Sequence, residues 1–94
     1  MNISTYLSKD ELAALTKLSK SKYTNNSALI RQAINEFPRH ILILPAVTKD
    51  KTIVAFTVES EKLHSKLESL KAKFGKSKSS IIYSLVLHLI DNKY

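Results

Sequence analysis

Residues 75–79 read Gly-Lys-Ser-Lys-Ser and lead into the apolar pair Ile81-Ile82. Glycine permits a tight backbone turn. Serine hydroxyls, the free amides of a helix start and two lysines then offer donors and positive charge at one point. That is the chemistry that holds a phosphate-like anion. Lys76, Ser77, Lys78 and Ser79 are its candidate residues. A paler version, Asn25-Asn26-Ser27 before Ala28-Leu29-Ile30, stands 52 residues earlier and lacks a cation. Both stretches also suit plain N-capping, which uses the same residue types.

Little else in the chain suggests chemistry. His40, His64 and His88 have no metal-ligand spacing, and no nucleophile elbow or glycine-rich phosphate loop occurs. There is no cysteine, so disulfides and thiolate zinc sites are excluded. The expectation is a protein that is not an enzyme, with no cofactor, no metal and no small-molecule substrate.

The elements that must position these stretches follow from periodicity. Ile3, Thr5 and Leu7 alternate with Asn2, Ser4 and Tyr6, which predicts a short strand. Ser8-Lys9-Asp10-Glu11 has the form of a capping box, and Leu12, Leu15 and Leu18 stripe the helix after it. That helix breaks near Lys22-Tyr23-Thr24. A second starts at Asn25 or Asn26, carries Leu29, Ile30, Ala33, Ile34 and Phe37, and is ended by Pro38. Residues 38–51 form a connector with an apolar centre. The order then starts again: residues 52–58 alternate, Ser60 caps a helix striped by Leu63, Leu67, Leu70 and Phe74, and Gly75 suits a left-handed helix end. The last helix opens at Ser77 or Lys78 and carries Ile81, Ile82, Leu85, Val86, Leu89 and Ile90.

The two halves superimpose by offset. Ile3, Thr5, Leu7 and Leu12 map to Val54, Phe56, Val58 and Leu63 on adding 51. Leu15, Leu18, Ser27, Leu29, Ile30, Ala33, Ile34 and Phe37 map to Leu67, Leu70, Ser79, Ile81, Ile82, Leu85, Val86 and Leu89 on adding 52. One inserted residue in the first helix of the second half accounts for the difference.

The 94 residues suffice for one compact domain, and 44% of them are hydrophobic. No apolar stretch approaches the roughly 20 residues of a membrane span, and the polar start MNISTYLSKDE is not expected to be a signal peptide. Fifteen Lys and Arg against eight Asp and Glu leave a net charge of +7, which favours a polyanionic partner.

A strand followed by two helices, with Gly75-Lys76-Ser77-Lys78-Ser79 opening the second helix, resembles the ribbon-helix-helix family of DNA-binding proteins. Tyr23-Thr24-Asn25-Asn26-Ser27 is the counterpart in the first half. Members with a single copy dimerise. Two copies in one chain look like a fused pseudo-dimer, similar to small tandem regulators of archaeal viruses. The fold class expected is mainly α with a short two-stranded antiparallel ribbon: copy 1 over residues 1–37, a linker over 38–51 and copy 2 over 52–94, closing into one domain. Physics favours the same arrangement, because one copy has a lone strand and too small a core. Fourteen linker residues reach roughly 45 Å when extended, ample for the path.

The resemblance implies a transcription regulator that inserts its ribbon in the major groove of double-stranded DNA, in the cytoplasm of a prokaryotic or virus-infected cell. Carried over by position, the base readers are Asn2, Ser4 and Tyr6 from one strand and Ile53, Ala55 and Thr57 from the other. The second set departs from the longer polar side chains usual in the family. Ile53 and Ala55 suit thymine methyls only, so the site read need not be palindromic. Asn25, Asn26, Ser27, Lys76, Ser77, Lys78 and Ser79 would meet phosphates, and Arg39 and His40 the DNA backbone or solvent. Self-association on DNA is also implied. For Ile41-Leu42-Ile43-Leu44 a buried crossing, an extra strand and an exposed patch joining two molecules all stand open. Three rivals remain: an antitoxin-like protein-partner module of the same fold, a non-specific DNA-coating protein, and a four-helix bundle without a ribbon.

Overall fold

The computed structural model describes residues 2–38, 41–45 and 49–92, with the backbone alone for Asn2 and Asn92. Arg39 and His40 lie outside the described residues. The element order is β1 (Asn2–Leu7), α1 (Lys9–Ser21), α2 (Asn26–Asn35), β2 (Thr52–Thr57), α3 (Glu61–Phe74) and α4 (Lys78–Asn92). The molecule is mainly helical with one two-stranded sheet.

Local chemistry sets the helix ends. The Ser8 hydroxyl accepts from the Glu11 amide at 3.1 Å, and the Ser8 amide donates to Glu11 Oε1 at 2.8 Å, closing a capping box on α1. Asn25 caps α2 through the Ala28 amide, and Ser60 caps α3 through the Leu63 amide. Gly75 ends α3 with φ +62°, the left-handed turn that glycine takes without a Cβ penalty. Helix α2 stops at Asn35, just short of Pro38, and Phe37 folds over to meet the Phe74 ring at 5.8 Å.

The strands pair antiparallel: Asn2 with Thr57, Ile3 with Phe56, Ser4 with Ala55, Thr5 with Val54, Tyr6 with Ile53, and Leu7 with Thr52. Ser4 therefore faces the residue 51 positions on, which is its own counterpart in the offset alignment. A register centred there gives the ribbon an approximate twofold axis through that pair.

The ribbon has two unlike faces, as its period of two requires. Ile3, Thr5, Leu7 and Phe56 are buried, and Val54 is half-buried behind them. The helices cover this face crosswise. Helix α4 packs on β1, the strand of the other half, and α2 reaches β2. One core of Leu15, Ile30, Ile34, Leu67, Ile81, Leu85 and their neighbours joins the halves. Its radius of gyration, 12.2 Å, matches the roughly 12 Å expected of a single compact domain of this length.

Helix α4 is the central element, buried on every side from Ser80 to Val86. The apolar stripe alone did not imply this, since Tyr83 and Ser84 are enclosed as well. The connector explains it. Residues 41–45 run as coil along α4 and form no strand, with Ile41 and Ile43 half-buried against the core. The Leu44 amide donates to Ser84 Oγ at 2.8 Å, and Ser84 Oγ donates in turn to the Ser80 carbonyl at 2.8 Å. Leu42 and Leu44 point out, Leu42 with 76% of its surface exposed.

Candidate nucleic-acid interface

The outward face of the ribbon brings the expected readers together in opposed pairs. Ser4 stands across from Ala55 and Tyr6 across from Ile53, while Asn2, whose side chain lies outside the description, stands across from Thr57. Ser4 and Tyr6 are half-buried; Ala55 and Thr57 are exposed, and Ile53 is 58% exposed. An exposed isoleucine beside a tyrosine makes one end of this face apolar, while the Thr57 end is polar. Two strands of this kind form a ribbon of the width the DNA major groove admits.

The helix starts lie against the ribbon, α4 at its middle and α2 at its Thr57 end. Ser79 Oγ donates to the Ser4 carbonyl at 3.0 Å, and Thr5 Oγ1 donates to the Ser79 carbonyl at 2.8 Å. In the other half Ser27 Oγ accepts from the Thr57 amide at 3.2 Å, and Arg31 donates to the Thr57 carbonyl at 2.9 Å. Each second helix is thus tied at its first turn to the strand of the opposite half. The hydroxyls of Ser27 and Ser79 are used in this joint.

The remaining helix-start residues divide. Ser77 Oγ accepts from the Ser80 amide at 3.2 Å and caps α4, and Lys76 beside it is exposed. Lys78 is ion-paired with Glu68 of α3. The hydrogen bond from Lys78 holds the Glu68 carboxyl below its ordinary value. Lys71, Lys73, Lys76 and Lys78 follow Glu68 with no acidic residue before Asp91, and the packing of α3 against α4 returns Glu68 to Lys78. Asn26 behaves in parallel, donating from Nδ2 to Thr16 Oγ1 at 3.1 Å. Asn26 and Thr16 lie 52 residues before Lys78 and Glu68. The same cross-link between paired helices is a neutral hydrogen bond in one half and an ion pair in the other.

Several contributors had no assigned role in the sequence. Arg31 interrupts the apolar spacing of α2, the one signal that set it apart. Its counterpart by offset, Tyr83, belongs instead to a polar cluster with Glu11 and Lys51. Tyr83 donates to Glu11 Oε2 at 2.9 Å, Lys51 donates to the Tyr83 hydroxyl at 2.7 Å, and Lys51 pairs with Glu11 Oε1 at 3.1 Å. Lys51 also sits 4.3 Å from the Tyr83 ring centre.

Among the described residues, no three His, Cys, Asp or Glu side chains stand close enough to hold a metal ion. His64 donates from Nε2 to the Val58 carbonyl at 2.8 Å, within its own half. Among the described residues, no helix is long and apolar enough to cross a membrane. Comparison of the chain with protein-family models, with curated proteins and with solved structures finds no match.

Proposed function

We propose that the chain is a tandem ribbon-helix-helix pseudo-dimer that binds double-stranded DNA sequence-specifically through its ribbon and regulates transcription. The observation that carries this reading is the two-faced ribbon, buried against α1, α2 and α4 on one side and presenting Ser4, Tyr6, Ile53, Ala55 and Thr57 on the other. Its register, centred on Ser4 and Ala55, favours two equivalent copies over an accidental hairpin. The net charge of +7 supports a polyanionic partner. Lys76 and the capped start of α4 suit a phosphate flanking the groove, with Lys78 joining when it leaves Glu68. Self-association on DNA belongs to this reading, and the protein acts in the cytoplasm of its host cell.

Selection of binding sites from random duplex DNA at two salt concentrations tests the proposal. A defined motif that persists at the higher salt is expected, because base contacts survive where phosphate contacts weaken. Binding without a motif, lost as salt rises, would make the protein a coat held by charge alone. A protein-partner role is the second reading, favoured by exposed Leu42 and Leu44; absence of all duplex binding would bring it forward.

A further inference from the structure

Thr57 is held differently from Ser4, Tyr6, Ile53 and Ala55, with which it shares the outward face. It is the last residue of β2, where a two-stranded ladder is prone to fray. Yet α2 takes both of its backbone groups: Ser27 Oγ accepts from its amide at 3.2 Å, and Arg31 donates to its carbonyl at 2.9 Å. The residues on either side are anchored too. Phe56 and Val58 are buried, and the Val58 carbonyl accepts from His64. The Thr57 side chain itself stays exposed. Among the described residues, a helix side chain binds one backbone group of Ser4, through Ser79, and none binds the backbone of Tyr6, Ile53 or Ala55.

The approximate twofold axis would repeat this clamp on Tyr6, which lies 51 positions before Thr57. The repeat is broken. The counterpart of Ser27 is Ser79, which bonds Ser4. The counterpart of Arg31 is Tyr83, which donates to Glu11 and accepts from Lys51. The clamp therefore belongs to one end of the ribbon, the polar end away from the Tyr6–Ile53 pair. A side chain that reads a base edge must be held to within about 0.5 Å by its supporting groups, which a fraying strand end does not provide.

We propose that Arg31 is a positioning residue for sequence specificity. By binding the Thr57 carbonyl while Ser27 holds the amide, it sets the Thr57 side chain against one base pair and makes that end the more discriminating end of the site. The inference rests on the DNA-binding reading. Arg31 acts through Thr57 and not by touching a base.

The test is a double-mutant cycle on base preference in the full chain. Arg31→Met, Thr57→Ala and the double variant are titrated against single-base-pair variants of the duplex recovered in site selection, and Tm is measured for each. Thr57→Ala should cut the preference at one base pair about three- to tenfold. Arg31→Met should cut it at the same base pair by a similar factor and leave the others within about twofold. The double variant should lose no more than either single variant, because the two residues act as a unit. Arg31→Lys keeps a donor for the Thr57 carbonyl and should stay within about twofold of the wild type. Should Arg31→Met fail to fold, Ser27→Ala opens the other half of the clamp and must blur the same base pair. Additive losses, loss at a different base pair, or an Arg31→Lys as blurred as Arg31→Met would make Arg31 a direct base contact and overturn the inference. Equal weakening on every duplex, with a salt slope lower by about one, would make it a phosphate contact and overturn it too. Unchanged preference in Arg31→Met would leave the residue a purely structural role. All of these outcomes leave the DNA-binding reading intact, whereas a wild type that binds no duplex overturns the reading and the inference together.

Discussion

At the scale of single residues, Lys78 at the start of α4 is tied to another helix. Its ammonium is held by Glu68, and that carboxyl is correspondingly more acidic than usual. On the proposed reading a phosphate must draw Lys78 away from this partner. Glu68→Gln should therefore tighten binding to duplex DNA, by about two- to fivefold, the range that one exposed ion pair supplies. Anisotropy titration at fixed salt measures it; unchanged or weaker binding would place the α4 start away from the DNA. The turn and helix cap in the run Gly75 to Ser79 were legible because residue types carry them. The partner of Lys78 was not legible, because Glu68 lies ten residues earlier on another helix. Nor was the engagement of Ser27 and Ser79 with the opposite strands, since it depends on which strand each helix crosses.

At the scale of elements, a polar staple holds α1, α4 and the chain entering β2 together. Burial pushes the Glu11 carboxyl up, but hydrogen bonds from the Ser8 amide, Lys51 and Tyr83 outweigh it and leave Glu11 below its ordinary value of 4.5. Burial likewise pushes Lys51 down, and bonding to Tyr83 and Glu11 outweighs it, so Lys51 lies above its ordinary value of 10.5. Glu11 then contributes fully above pH 4.5, and its contribution is lost as pH falls through the lowered value. Lys51 contributes fully below pH 10.5 and loses its contribution as pH rises through the raised value. Glu11→Gln should cost about 1–3 kcal/mol at neutral pH, with the difference from wild type shrinking as acid protonates the native carboxyl. Urea denaturation across pH checks this; a difference that does not shrink in acid would remove the charge from the explanation. The helices themselves were readable from their caps and stripes: Ser8, Asn25, Ser60 and Gly75 sit where their side chains or lack of one require. The all-round burial of α4 from Ser80 to Val86 was not, because Tyr83 and Ser84 are enclosed by Lys51 and Leu44 of the connector, whose path no local pattern encodes.

At the scale of the whole molecule, the halves interlock. Because α4 covers β1 and α2 reaches β2, neither half keeps its core without the other. Phe56 is 1% exposed at the centre of that shared core. Phe56→Ala should cost about 3–5 kcal/mol, a large part of the total stability of a small domain. Amide hydrogen exchange should quicken as much in α2 as in α4. Exchange that quickens in the second half alone would mean that the halves fold separately. Face assignment along the ribbon was legible from alternation, but the register was not, and the register places Ser4 opposite Ala55. That pairing within one chain has a kinetic consequence. A ribbon assembled from two chains falls apart on dilution, and its formation is second order. Here β1 and β2 are covalently joined, so the ribbon forms by a first-order event and is as complete at one molecule per cell as at a thousand.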